Sequence, residues 1–432
     1  MPSFTRIGNE VTPRSAAQMD TVLFLESSPN GSVGATGIHT NSTNFGMFKT
    51  PLGVQVIENA RKLYDSATTK QKVTSEGTFD GTLNPNELVY LLSSLRGKVT
   101  PTVPTHIGLF VLNLRGGTGN FQLTLTGFSN TANIVHTADQ DVIEDAMIAA
   151  FGRGCATVIQ EDTGVFQIRL QGEYALGGVL GVTGIAGATC QGINPTGTGM
   201  YRYTFDLGSV DMANLLTFRA FQGPFDIALA SKRFSRTHVS SLGFEISVDQ
   251  AIINNGAILA LPQELDQTIL SSSIVDIALV NANPENWNFY YGSEKSGALG
   301  PAMMCNGFSC GFSFDGLIAP YRVVGCNTNS MKGVIATKPS TNFSLSVAQD
   351  SDSDAILNVV ESGASMYSVL EWLGPEIAPG VPYRIVAMLP HIIEDYDPGE
   401  EQSLATYSMT GRIAVKNTLT PKIVIDCPIP AF

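Results

Sequence analysis

Apolar and polar residues alternate with a period of two along most of this chain, as strands with one buried face require. "NFQLTLTGF" turns Phe121, Leu123 and Leu125 to one side, and "GVFQIRLQG" does the same with Phe166, Ile168 and Leu170. "THVSSLGFEISVDQAI" alternates through Leu242, Phe244, Ile246 and Val248. "NGFSCGFSFDGLIAPYRVVG", "TNFSLSVAQ", "VPYRIVAMLP", "YSMTGRIAV" and "PKIVIDC" extend the series. The period becomes helical in "EGTFDGTLNPNELVYLLSSLRG", residues 76–97, where Leu88, Leu91, Leu92 and Leu95 form one stripe. Asn84 stands at the N-cap and Pro85 at the first helical position; Glu87 can close a capping box and Gly97 supplies a left-handed stop. So short a helix buries little alone, so it is expected on the flank of a sheet. A second capped helix is predicted in "TADQDVIEDAMIAAFGRG". Thr137 and Gln140 would be its box, and Val142, Ile143, Ala146, Ala149 and Ala150 its stripe.

The pattern predicts a mainly β protein with short flanking helices. Residues 1–50 are a polar lead-in containing one strand, "TVLFLES", and "PTVPT" is a Pro-rich joint. Residues 109–194, closed by "GINPTGTG", read as a small inserted α+β domain. Its host is then discontinuous, 1–108 and 195–280, and a second β domain follows over 281–432 after the joint "NANPENWNFYYG". "THVSSLGFEISVD" and "NGFSCGFSFDGLI" share a polar–Gly–aromatic pattern, which suggests two related β units.

Composition sharpens this. Charged residues are only 15% of the 432, with a net charge of −13, which argues against electrostatic capture of nucleic acid. Six scattered cysteines suggest reduced thiols, "MPSFTRIGNEVT" lacks the apolar core of a signal peptide, and "YALGGVLGVTGIAGATC" is too Gly-broken to span a membrane. A soluble protein made in a cytoplasm is expected. Candidate chemistry is thin. "GFSCG" resembles a nucleophile elbow at Ser309, with His391 assignable as its base only arbitrarily, and it continues as a strand instead of turning into a helix. "DSDSDAILNVVE" places Asp350, Asp352, Asp354 and Glu361 at calcium-loop spacing, but Ala355 replaces the required Gly, so an exposed acidic turn is expected. Cys305, Cys310 and Cys326 lack zinc spacing, and His39, His106, His136, His238 and His391 show no ligand spacing. "HIIEDYDPGEE" reads as a solvated acidic loop around Pro398-Gly399. No catalytic, cofactor-binding or metal-binding residue is assigned, and no enzyme is expected.

The stretch 76–97 resembles the strand–helix segment of tail tube proteins of long, non-contractile-tailed bacteriophages (siphophages). Gly81, Leu83, Pro85, Glu87, Leu88, Tyr90, Leu91, Leu92, Leu95 and Gly97 match its anchors. The likeness continues through "YRYTFDLGSVDMANLLTFRAF", "THVSSLGFEISVDQ", "NGFSCGFSFDGLIAPYRVVG" and "YSMTGRIAVKNTLTPKIVI", and 109–194 resembles modules inserted into virion proteins. What the resemblance implies is two tandem tube-type β-barrels in a structural, non-enzymatic subunit. Such chains would form trimeric rings with pseudo-sixfold symmetry, stacked into a tail tube. The implied partners are further copies of the chain, the tail tip, tape measure and terminator proteins, and double-stranded DNA passing an acidic lumen without specific binding. No cofactor is implied, and the location would be the virion. The helix would cover a barrel flank near a subunit contact, the insert would project outward, and the first 50 residues and 350–362 would meet the next ring. Competing readings are a capsid or decoration protein, a carbohydrate- or surface-binding β-sandwich, and, third, a hydrolase using Ser309.

Overall fold

The computed structural model describes residues 6–7, 10–11, 20–28, 31–40, 42–46, 48, 52–57, 67–72, 74–293, 303–304, 307–321, 333–415 and 419–432. The protein is mainly β. The chain opens with β1 (Arg6–Ile7), β2 (Glu10–Val11), β3 (Thr21–Glu26), β4 (Val33–His39) and β5 (Thr43–Phe45). The hairpin β6 (Leu52–Ile57)–β7 (Ala67–Lys72), then β8 (Ser75–Thr82) and α1 (Pro85–Arg96), follow. After the insert come β16 (Tyr201–Asp206), β17 (Phe218–Gln222), β18 (Ser231–Ser247), β19 (Ala251–Ala260), β20 (Glu264–Gln267) and β21 (Ile274–Asp276). The remainder begins with β22 (Trp287–Ser293), β23 (Met303–Met304), β24 (Gly307–Asp315) and the hairpin β25 (Ile318–Tyr321)–β26 (Gly333–Ala336). It continues with β27 (Ser340–Ala348), α4 (Ser351–Glu361), β28 (Met366–Ala378), β29 (Val381–Glu401), β30 (Leu404–Ile413) and β31 (Lys422–Cys427).

These strands form two units with the same pairing plan. In the first, β18 makes a hairpin with β19, β8 lies beside β19, and β5 beside β8. In the second, β29 makes a hairpin with β30, β27 lies beside β30, and β24 beside β27. On the opposite flank β17 and β3 follow the first half of β18, as β28 and β22 follow the first half of β29, and β20 and β31 take matching places. Both β8 and β27 end three residues before a helix begins. The long strands β18 and β29 each pass from one sheet into another, so each unit has an outer sheet and a share of a common one. The common sheet runs β5–β8–β19–β18–β24–β27–β30–β29, because β24 of the second unit pairs with the C-terminal half of β18. One core unites the inner faces, with Phe79, Phe205, Phe218 and Phe234 from the first unit and Phe343, Trp372 and Ile385 from the second.

Helix α1 is not a flank accessory. Leu88, Val89, Leu91, Leu92 and Leu95 are buried, and so are Asn86, Glu87, Ser93, Ser94 and Arg96 on its polar side. The helix touches β18 of the first unit, β29 and β31 of the second, and β16, which pairs with β31. Ser94 Oγ accepts the Val239 N–H at 3.0 Å, Arg96 donates to Ser209 O at 3.0 Å, and its guanidinium stacks 5.6 Å over the Phe314 ring of β24. The predicted capping box is absent. Asn84 Oδ1 accepts the Asn86 N–H at 3.1 Å, but Glu87 turns away from the cap. Gly97 ends the helix at φ 115°, ψ 151°, a glycine region distinct from the expected left-handed helical one, and a Cβ there would lie 2.9 Å from Asp211 Cβ.

The insert comprises β9 (Leu109–Asn113), β10 (Asn120–Leu125), β11 (Ile134–Val135), α2 (Gln140–Phe151), β12 (Ala156–Asp162), β13 (Val165–Leu170), α3 (Tyr174–Gly177), β14 (Leu180–Thr183) and β15 (Thr189–Gly192). Its sheets, β11–β10–β14 and β12–β13–β9–β15, enclose a separate core of Phe110, Phe121, Leu123, Ile143, Phe166 and Ile168. Its helix departs from the predicted cap and stripe. Asp139, not Thr137, accepts the Val142 N–H at 3.1 Å, Gln140 accepts from Gln160 N, and the buried stripe is Ile143, Met147 and Phe151, with Val142 exposed. The inward face is displaced by one residue from the expected one, because the larger Ile143, Met147 and Phe151 fill the insert's core in preference to the alanines.

The insert is clamped to the outer face of the second unit's sheet. Leu176 packs on Tyr290, Tyr367, Val369, Val386, Met388 and Val424. Arg202 makes a bidentate pair with Asp426 at 2.7 Å and also donates to Leu176 O. Glu371 and Arg384 meet at 3.3 Å; Glu371 accepts the Gly172 N–H at 2.6 Å and Arg384 donates to Ile107 O at 2.8 Å. Burial pushes the Glu371 carboxyl up, and Arg384 opposes that shift. Removing one member would strand a buried charge, which fixes the insert's seat. Among the described residues no helix is long and apolar enough to cross a membrane.

Truncating the buried α1 stripe leaves a cavity that close-packed neighbours fill only partly. Leu92→Ala is expected to cost roughly 2–5 kcal/mol in urea unfolding, whereas Val142→Ala on the exposed face of α2 is expected to stay within about 0.5 kcal/mol.

Candidate functional site

The residues singled out at 76–97 converge on one strand edge. A Cβ on Gly81 would lie 2.1 Å from Ser42 O, so only glycine lets β5 approach β8 there. Glu87, almost fully buried, accepts the Ser42 N–H at 3.1 Å and the Thr43 hydroxyl at 2.5 Å, which holds β5 in place. Leu83 and Pro85 are buried where the strand enters the helix, and Leu88, Leu91, Leu92 and Leu95 carry that helix. Tyr90 stacks on Phe432 at 4.8 Å, and Tyr203 on the far side of Phe432 donates to Pro430 O. The motif is therefore a scaffold under the β5 edge of the common sheet.

The common sheet has one buried and one open face. Inward are Phe45, Phe79, Phe244, Phe312, Phe314 and Leu345. Outward is a polar field that includes Glu76, Asp80, Glu245, Asp315 and Glu401. Hydrogen bonds order it: Asn254 donates to Glu245 at 3.0 Å, Ser313 to Asp315 at 3.1 Å, and Ser346 to Glu401 at 3.1 Å. Over the stretches that lie in this sheet, with β18 counted from His238 and β29 from His391, the described residues carry one Lys or Arg, Arg412 on β30, and it is paired with Glu394 at 3.1 Å. Lys232, Arg233 and Arg236 of β18 and Arg384 of β29 belong to the halves outside it. Such a face repels phosphates.

Among the described residues its two ends carry no further strand: β5 pairs with β8 on one side only, and the C-terminal half of β29 pairs with β30 alone. These ends correspond to the two strands that meet in the middle. β5 is the counterpart of β24, and the C-terminal half of β29 is the counterpart of that of β18. The chain therefore contains one joint and the two halves of another.

The other candidates are dispersed. Ser309 lies within β24, opposite Ser247 and Ser346, and the strand continues past it. His391 is fully buried; its Nδ1–H donates to Leu389 O at 2.9 Å and its ring stacks 3.8 Å from Phe343. Nothing pairs the two. The acidic segment expected as a turn is helix α4: Asp350 Oδ1 accepts the Ser353 N–H at 2.9 Å and Ser353 Oγ accepts the Asp350 N–H at 2.8 Å. The reciprocal cap is the signal the sequence carried for this helix, and a helix in place of a loop removes the calcium-loop geometry. Cys310 is buried, and Cys305 and Cys326 lie outside the described residues. The acidic loop expected around Pro398-Gly399 is strand, the free half of β29. The sequence matches no protein-family model and no curated protein.

Two tests follow from this geometry. Glu87→Ala is expected to lower hydrogen-exchange protection at Thr43–Phe45 by about tenfold or more and to cost roughly 2–3 kcal/mol, because it orphans a buried amide and hydroxyl; unchanged protection would remove its role at the edge. Burial also pulls His238 and His391 down to about 4. The unfolded chain therefore binds more protons between pH 6.5 and about 4, and stability falls as pH falls through that window, by up to about 3 kcal/mol per ring. In urea midpoints measured from pH 7 to pH 4.5, His391→Gln should flatten that decline.

Proposed function

We propose that this chain is a structural subunit of a bacteriophage tail tube, which assembles by repeating between copies the strand pairing that joins its own two units. The observation that carries this reading is the β18–β24 joint together with its unpaired counterparts at β29 and β5. A surface whose two halves lie at opposite ends of one molecule makes a heterologous contact, and such contacts close into rings or extend as fibres. With two units per chain, three chains would supply six units, and the common sheet would run continuously around the ring. Its polar, carboxylate-rich face would line a channel that lets DNA slide without binding it. The same assignment brings the partners that the resemblance implies, the tail tip, tape measure and terminator proteins, and places the chain in the virion. The insert, seated on the outer sheet of the second unit, would stand on the outside.

Electron microscopy of the concentrated protein with a solution mass tests this. Hollow rings or tubes with sixfold-looking end views and the mass of three chains per ring are expected. Rings of six chains would remove the two-unit closure, and a chain that neither assembles nor labels phage tails with specific antibody would end the reading.

A further inference from the structure

The two equivalent edges of the common sheet differ in chemistry. Gly81 and Val347 both stand next to last in β8 and β27. Across from Gly81 lie Ile253 and then Phe244; across from Val347 lie Tyr407 and then Pro398. Phe244 on β18 thus corresponds to Pro398 on β29. By the same count Gly243, Ile246 and Ser247 correspond to Asp397, Glu400 and Glu401. The edge that is already paired inside the chain is apolar where it faces inward, with Phe244 meeting Phe312 and Ile246 meeting Cys310. The open edge has a proline and a carboxylate in those two places, and two more carboxylates beside them.

We infer that the free half of β29 is a docking edge for a second copy that is held open by its own charge, so that assembly waits until that charge is screened or matched. This rests on the self-assembly reading above. In the register of the internal joint, the β5 strand of the next copy would set Phe45 against Glu400, as Cys310 stands against Ile246. The groups around that Phe45 are Asn44 on its own strand, Asp80 and Glu76 on β8, and Glu87 behind it. Among the described residues of these elements no cation faces Glu400, and Arg412 is engaged by Glu394. Charged and proline residues at an exposed edge are a recognised guard against premature pairing, an inward-pointing charge most of all. The internal joint needs no guard, since one chain supplies both strands at high effective concentration.

The test uses the full chain with Asp397→Asn, Glu400→Gln and Glu401→Gln together, followed by sedimentation velocity across protein concentration at low and high salt. Association of the unaltered chain is expected to rise with salt. The variant should associate at about tenfold lower concentration at low salt, with a weaker salt dependence. A matched neutralisation of Asp141, Asp145 and Glu161 on the insert should leave association unchanged, which separates the edge from net charge. Equal association of variant and unaltered chain, or assemblies that dissolve as salt rises, would overturn the charge guard and leave self-assembly standing. Chains that stay monomeric in every condition, variant included, would overturn both.

Discussion

An exposed strand edge is a row of backbone donors and acceptors that asks for another strand, and this molecule is organised around where such edges are closed and where they are left open. β24 closes the edge of β18 and thereby fuses two similar units into one sheet. Everything else supports that seam. α1 is buried between the units, and its Arg96 reaches the Phe314 ring of β24, so the helix braces the joint instead of decorating a flank. β18 and β29 each run through two sheets, so continuous backbone links the seam to the outer sheets.

Buried charge serves as fixture elsewhere in the chain. Glu87 holds β5, Arg202 and Asp426 join β16 to β31, and Glu371 with Arg384 receives the insert. Such groups add little net stability over apolar packing, but each penalises the arrangement in which its partner is missing. They therefore select one seat for the insert and one position for the edge strand. The insert covers apolar side chains of the second unit's outer face, so it is part of the body's packing even though it has a core of its own.

The open face of the common sheet sets a different constraint. Small polar residues and carboxylates with a single paired arginine make a surface that water wets and polyanions avoid. The same sign of charge stands at the free end of β29, at Asp397, Glu400 and Glu401. On the proposed reading, one acidic composition would act twice, on what passes across the sheet and on what adds to its end.

Much of this was legible in the chain. Period-two alternation located the strands, Leu88, Leu91, Leu92 and Leu95 located α1, and the alternating Phe and Leu positions of the insert located its core, because side-chain periodicity is a local property. Caps were less secure: Asp139 took the place expected of Thr137, since several neighbouring side chains can reach the same orphan amides, and the cap at Asp350 begins a helix where an acidic turn was expected. Pro398-Gly399 looked like a turn and is strand, because an edge strand tolerates a missing donor that a central strand does not. The amino-acid sequence by itself determined the fold class, the apolar face of α1 and the excess of negative charge. Only the tertiary structure decided that β24 pairs with β18, that Glu87 serves β5 and not its own helix cap, and that β5 and β29 are left as counterparts of a joint already made. Strand partners are chosen by long-range register and burial, and neither leaves a mark on the pattern of a single strand.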